Sequence, residues 1–292
     1  MSDRNFRKLI EAKWAQDKFV CVGLDTDAEK LPEPLRIRYT EYSPTTANSQ
    51  TWLLREKIVA STYDAVCAYK LHPAYLSRAA MKESVRCIRG LDPSIPIILD
   101  GKYGDGSESV NERWASIAFD SIGVDAVTVN PYPGRETLQP FLRRRNKGIF
   151  VICNTSGPGS GEFQASIDMC GDMVPGDYMP QYKFVAHRVA RYWNENGNCG
   201  LVVSANHTDE LREVRERVFD MPILSPAIGP QQKYVPLEEQ VERLVSAGKY
   251  GKALPMIVSA SRHILYASNG PDFANAARHK TLELNDLINR YR

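Results

Sequence analysis

The sequence lacks the features that announce metal, redox or membrane chemistry. Its six cysteines, at 21, 67, 87, 153, 170 and 199, form no CxxC pair, and no Cys/His cluster has zinc spacing. The histidines at 72, 187, 207, 263 and 279 show no ligand spacing either, so neither a metal nor another cofactor is expected. No apolar run reaches the ~18 residues that a membrane span needs. The charged, amphipathic opening "MSDRNFRKLIEAKWAQDKF" lacks the apolar core of a secretory signal. The expectation is a cytoplasmic protein with reduced thiols and no membrane partner. Charge of one sign is scarce too: 37 Lys and Arg against 35 Asp and Glu leave +2. That is too little for a nucleic-acid footprint, and the basic run "RRRNK" (143–147) reads as a solvated helix end or turn. No GxGxxG follows the first strand-like run and no GxxxxGK[ST] occurs, which argues against the dinucleotide and P-loop forms of an open sheet.

What is present is alternation. Short apolar runs are expected as strands at 19–25, 65–71, 95–100, 125–130, 148–154, 200–205, 222–226 and 256–261. Between them lie helical patterns at 51–64, 77–90 (ending at Gly90), 109–123, 182–197, 208–218 (opening on a Thr208 cap), 237–249 and roughly 272–290. The strands show little polar alternation, as parallel strands covered on both faces do. Eight βα units in 292 residues predict a single α/β domain over 1–292, a closed (β/α)8 TIM barrel with an N-terminal helix (1–18) packed on it. The Gly/Pro-rich segments "NTSGPGSGEFQ" (154–164) and "CGDMVPGDYMP" (170–180) follow the fifth strand, on the catalytic side of a barrel.

Polar residues gather at the strand ends, the working face of such a barrel. Asp25 closes the first strand, Lys70 lies near the end of the second, and "ILDGKYGDG" (98–106) brings Asp100, Lys102 and Asp105 to the end of the third. Asn130, Thr155, Ser156, Gln231, Ser261 and Arg262 follow later strands. Residues i and i+2 of a strand share a face, so Asp100 and Lys102 are expected to point together into the site, with Lys70 beside them. An alternating row Lys70, Asp100, Lys102, Asp105 lowers the cost of burying each charge. Carboxylate neighbours favour the ammonium form of Lys102, which makes it a proton donor within apolar walls rather than a Schiff-base nucleophile.

Taken together in barrel order, these motifs resemble the orotidine 5′-monophosphate decarboxylase family. Its D-x-K-x-x-D is matched by Asp100, Lys102 and Asp105, its first-strand aspartate by Asp25 in "VGLD", and its second-strand lysine by Lys70 in "AYKLHPAY". "NTSGPG", "SPAIGPQ", "SASRHILYAS" and "DAVTVNPYPG" are similar to segments of the family's bacterial T-S-N branch, and the matches run from about residue 19 to 268. The resemblance implies decarboxylation of orotidine 5′-monophosphate to UMP and CO2 in pyrimidine biosynthesis, without a cofactor. Lys102 would protonate the C6 carbanion. Lys70 and Asp25 would hold the ribose, Ser156 the pyrimidine, and Arg262 with Gln231 the phosphate. Ser109 and Asn130 join the implied substrate-binding set. Asp105 would reach the partner's site in a homodimer.

The sequence departs from the pattern at "DGSES", where Gly106 replaces an apolar residue and Ser109 a threonine. Gly157 replaces the asparagine of T-S-N, Ala227 replaces a glycine, and "QQK" replaces Q-G-G. These leave open a relative acting on a modified nucleotide. A Mg²⁺-dependent sugar-phosphate enzyme, a Schiff-base aldolase and a silent nucleotide-binding barrel are the rival readings. EDTA sensitivity marks the first and borohydride trapping the second.

Overall fold

A computed structural model of the chain describes residues 4–36, 44–169 and 178–292. Ten strands are found among them: β1 (Val20–Gly23), β2 (Ala68–Leu71), β3 (Ile97–Tyr103), β4 (Ala126–Val129), β5 (Gly148–Asn154), β6 (Ile167–Met169), β7 (Tyr178–Pro180), β8 (Cys199–Val203), β9 (Ile223–Ser225) and β10 (Met256–Ala260). Eight of them close a parallel barrel in the order β1-β2-β3-β4-β5-β8-β9-β10, and β10 pairs back to β1 through Val20↔Val258. β6 and β7 form a separate antiparallel pair, which the sequence reading does not anticipate. It falls in the long segment after β5, of which residues 170–177 lie outside the described residues.

Every residue of β1, β2, β4, β8, β9 and β10 is buried. Helices cover one face of each strand and the barrel interior fills the other, which is why these strands are continuous apolar runs. The interior cluster includes Cys21, Ala68, Ile98, Ala126, Phe150, Leu224 and Ile257, joined by Phe6 and Ile10 from the helix Phe6–Trp14. Asn5 caps that helix by accepting from Lys8 N–H at 3.0 Å. The Phe6 ring meets Phe150 edge-on at 5.5 Å, so the N-terminal helix stoppers the barrel interior. Two buried charges at this level are paired. Asp125 takes bonds from Arg4 and from Ile97 N–H, and Lys13 meets Asp92 at 2.7 Å.

Three local expectations are corrected. The helix Arg78–Leu91 runs through Gly90 and stops at Asp92, which is extended (φ −148°, ψ 105°). Pro93 follows, and the residue before a proline avoids the helical region. Thr208 is the first residue of the helix Thr208–Val218 rather than its cap; His207 holds the cap position without a side-chain bond, and the acidic first turn is Asp209 and Glu210. β3 does not end at Asp100. It continues to Tyr103, so Asp100 and Lys102 lie inside it and Asp105 just beyond it. The patterns at 109–123 and 182–197 each finish in a π-helical turn, Ser116–Ile122 and Val189–Trp193. No helix among the described residues is long and apolar enough to cross a membrane.

Candidate active site

β1, β2 and β3 place the charged residues side by side. Gly23 pairs with Lys70 across β1 and β2, and Lys70 pairs with Ile98 across β2 and β3. Asp100 then lies two residues beyond Ile98, on the same face. Lys70 Nζ donates to Asp100 Oδ2 at 3.1 Å and stands 3.6 Å from Asp25 Oδ2. Lys102 Nζ donates to Asp100 Oδ1 at 2.8 Å. The row within one chain is therefore Asp25, Lys70, Asp100, Lys102.

Ser261, just past β10, donates to Asp25 Oδ2 at 2.8 Å. Gly23 makes this bond possible: a Cβ there would lie 2.0 Å from Ser261 Oγ. Tyr266 Oη accepts from Asp27 N–H at 2.9 Å and so ties down the loop after β1. Oδ1 of Asp25 is buried with no partner among the described residues. A ligand hydroxyl can fill that lone acceptor.

The electrostatics follow from the packing. Lys70 is only 5% exposed. Burial pulls its ammonium down, but the adjoining Asp100 and Asp25 carboxylates outweigh it and hold the pKa above the usual lysine range. Burial pushes Asp100 up. Lys70, Lys102 and the bonds from Lys102 and Thr128 overcome that and hold the carboxyl well below the usual range. Both groups are therefore ionised at neutral pH. Lys70 Nζ takes the cationic place between Asp25 and Asp100, and no group of three or more His, Cys, Asp or Glu side chains that could hold a metal is found among the described residues.

A cavity of about 410 Å³ opens over this row, lined by Asp25, Lys70 and Asp100 at one end and by Gln231, Arg262 and His263 at the other. The Arg262 side chain is exposed and has no ion pair among the described residues. The loop after β9 borders the same end. Buried Gln240 holds it, accepting from Gly229 N–H at 2.7 Å and donating to Val235 O at 2.7 Å. Ala227 in this loop has φ +76°, a left-handed conformation that disfavours any residue with a Cβ.

Other predicted residues fall outside the cavity lining. Lys102 stands on the open side of the row, with half its side chain exposed and φ +50°. The apolar enclosure expected for it is absent here, because the irregular end of β3 turns it toward the mouth. Asp105 is exposed and makes no ion pair among the described residues. Ser109 is exposed and bonds Ser107 at 3.0 Å. Asn130 accepts from Tyr132 N–H at 3.1 Å and lines a second, more apolar cavity with Phe163 and Tyr182. Ser156 is half-buried after β5. The volume missing at Gly106 is taken by Val110, whose Cγ1 would lie 2.6 Å from a Cβ at 106. Thr128, Tyr266 and Gln240 do not emerge from the sequence as site residues, while Ser261 is among the polar residues expected at the working face. A threonine inside the apolar run "DAVTVN" is the one signal that marks Thr128 in the sequence.

The orotidine 5′-phosphate decarboxylase / HUMPS family model matches residues 18–277. Orotidine 5′-phosphate decarboxylase of Cupriavidus necator is 37% identical over 292 residues, covering 98% of each chain. The protein of the same name from Azoarcus sp. is 36% identical over 293 residues, covering 99% of this chain and all of its own. Among solved structures, OMP decarboxylase of Leishmania donovani superposes with a TM-score of 0.76 at 28% identity, over 97% of this chain and 98% of that one.

Proposed function

Because the chain belongs to the orotidine 5′-phosphate decarboxylase / HUMPS family, we propose that it decarboxylates orotidine 5′-monophosphate to UMP, with the Asp25–Lys70–Asp100–Lys102 row as its machinery. The observation that carries this reading is the row itself: two carboxylates and two ammonium groups in contact at the mouth of a barrel, three of them lining a cavity and Lys102 standing at its open side. Buried charge pairs are poor stabilisers, and a row of them at strand ends suits catalysis.

In the proposed reaction the C6–carboxylate bond breaks, its electron pair stays on C6, and CO2 leaves. Lys102 Nζ gives a proton to C6, and solvent returns one to the lysine. An ammonium already held beside the site by Asp100 would need little reorganisation as charge develops. Asp100 lies beside the leaving carboxylate and fixes Lys102. Asp25 Oδ1 accepts a ribose hydroxyl, and Lys70 donates to the ribose. Arg262 and Gln231 hold the 5′-phosphate, whose remote binding energy orients the base. Ser156 and Asn130, in loops after β5 and β4, and Ser109, in the first turn of the helix Glu108–Ala115, meet the nucleotide on closure.

Asp105 completes the row in a second subunit. Its support is that Asp105 lies exposed, with no ion pair among the described residues, just ahead of the helix Glu108–Ala115, which exposes Val110 and Trp114, side chains that a homodimer would cover.

The test is loss of orotidine 5′-monophosphate absorbance with protein dialysed against EDTA. Metal-free turnover supports the decarboxylase. A folded protein that binds UMP without turnover contradicts it and favours a modified nucleotide or a binding role.

A further inference from the structure

Thr128 lies in β4 and is 1% exposed. A buried hydroxyl needs partners, and this one has two. Its Oγ1 donates to Asp100 Oδ1 at 2.9 Å and accepts from Lys102 N–H at 2.9 Å. One hydroxyl thus touches both charged residues of β3.

The arrangement follows from an irregularity in the sheet. β3 and β4 pair at Ile98↔Ala126 and Leu99↔Val127, then resume at Tyr103↔Val129. Asp100, Gly101 and Lys102 therefore stand opposite Thr128 alone. Bulged residues lose their ladder partners and redirect their side chains. Lys102 lies outside the β3–β4 register, and its N–H meets the Thr128 hydroxyl. Lys102 also carries φ +50°, a conformation that persists in a non-glycine residue only when its surroundings hold it. The bulge turns the lysine so that Nζ returns to Asp100 Oδ1 at 2.8 Å.

We propose that Thr128 is a positioning residue: its hydroxyl pins the β3 bulge and thereby aims Lys102 and Asp100 at the reacting carbon. This rests on the reading of Lys102 as proton donor. Thr128 does not itself line the cavity and reaches it only through Asp100, so its loss acts on the chemical step and spares binding at the phosphate end.

The experiment compares Thr128→Val, which keeps the volume and loses the hydroxyl, with Thr128→Ser, which keeps the hydroxyl; Lys102→Ala runs in parallel. Small misplacements of a catalytic group cost about 10²-fold. Thr128→Val is expected to lower kcat by about that factor with KM little changed, and Thr128→Ser to recover most of it. If Thr128→Val does not fold, Thr128→Cys takes its place, with activity expected between that of wild type and that of Lys102→Ala. A Thr128→Val enzyme with wild-type kcat, or a serine variant as impaired as the valine one, overturns the inference while leaving Lys102 as donor. An active Lys102→Ala enzyme overturns the underlying reading and this inference with it.

Discussion

Lys70 Nζ lies 3.1 Å from Asp100 Oδ2, with 6% and 16% of the two side chains exposed. Neither charge would be tolerated there alone, since removing one partner of a buried pair leaves the other uncompensated. Asp100 has a folded-state pKa below its unfolded value of about 3.9, so its contribution to stability is full above about pH 4 and is lost as pH falls through the depressed value. Lys70 has a raised pKa. Its contribution is full below about pH 10 and is lost as pH rises through the raised value. Urea midpoints of wild type and Asp100→Asn should therefore differ by a constant amount between pH 5 and 8 and converge below about pH 4. A gap that widens on acidification contradicts the assignment.

Gly23 should not tolerate a side chain, because the added methyl would meet Ser261 Oγ at 2.0 Å and displace the bond to Asp25. Gly23→Ala is expected to raise KM about tenfold or more, since Asp25 is assigned to the ribose and a lost charged hydrogen bond is worth ~1.5–3 kcal/mol. Ser261→Ala should cost less in the Gly23→Ala background than alone, because both remove the same bond. Kinetics of the two single variants and the double variant check this; strict additivity argues that Ser261 does not hold Asp25.

Ala227 is the reverse case, a side chain where the backbone at φ +76° favours glycine. Ala227→Gly removes the steric cost but adds freedom to the unfolded chain, so the net gain is up to ~1 kcal/mol. The melting temperature is expected to stay level or rise by about 2 °C. A fall in calorimetric melting temperature would show that the loop is not strained.

Asp105 has no partner in its own chain among the described residues, and the proposed dimer gives it one. Asp105→Ala and Lys102→Ala proteins, each inactive, should regain about a quarter of wild-type activity when unfolded and refolded together, since half the dimers are mixed and each holds one intact site. No recovery, with a dimeric mass by sedimentation, places Asp105 outside the partner's site.

The barrel was legible because its eight strands are apolar on both faces and alternate with helices, and that pattern does not depend on distant detail. Asp25, Lys70 and Asp100 were legible because charge at the end of a buried strand is costly without a purpose. The antiparallel pair Ile167–Met169 and Tyr178–Pro180 was not, since it is short and set in a segment rich in glycine and proline. Thr128 and Gln240 were missed for another reason. Their roles arise from a register shift between β3 and β4 and from a loop folded back on a helix, neither of which is written locally; a hydroxyl within the apolar run "DAVTVN" is the only hint of Thr128. Gly90 and Thr208 misled because each carries the chemistry of a helix end, while Pro93 and the chain path through His207 decide where those helices end.

The proposed mechanism turns on delivery of the proton to C6 by Lys102. Its most direct test is single-turnover decarboxylation by Lys102→Ala, with UMP affinity measured on the same preparation. The account predicts a rate loss of at least about 10³-fold with UMP affinity held within about tenfold, because the phosphate and ribose contacts remain. A near wild-type rate in that variant, with UMP bound as before, would contradict it and assign the proton to another donor.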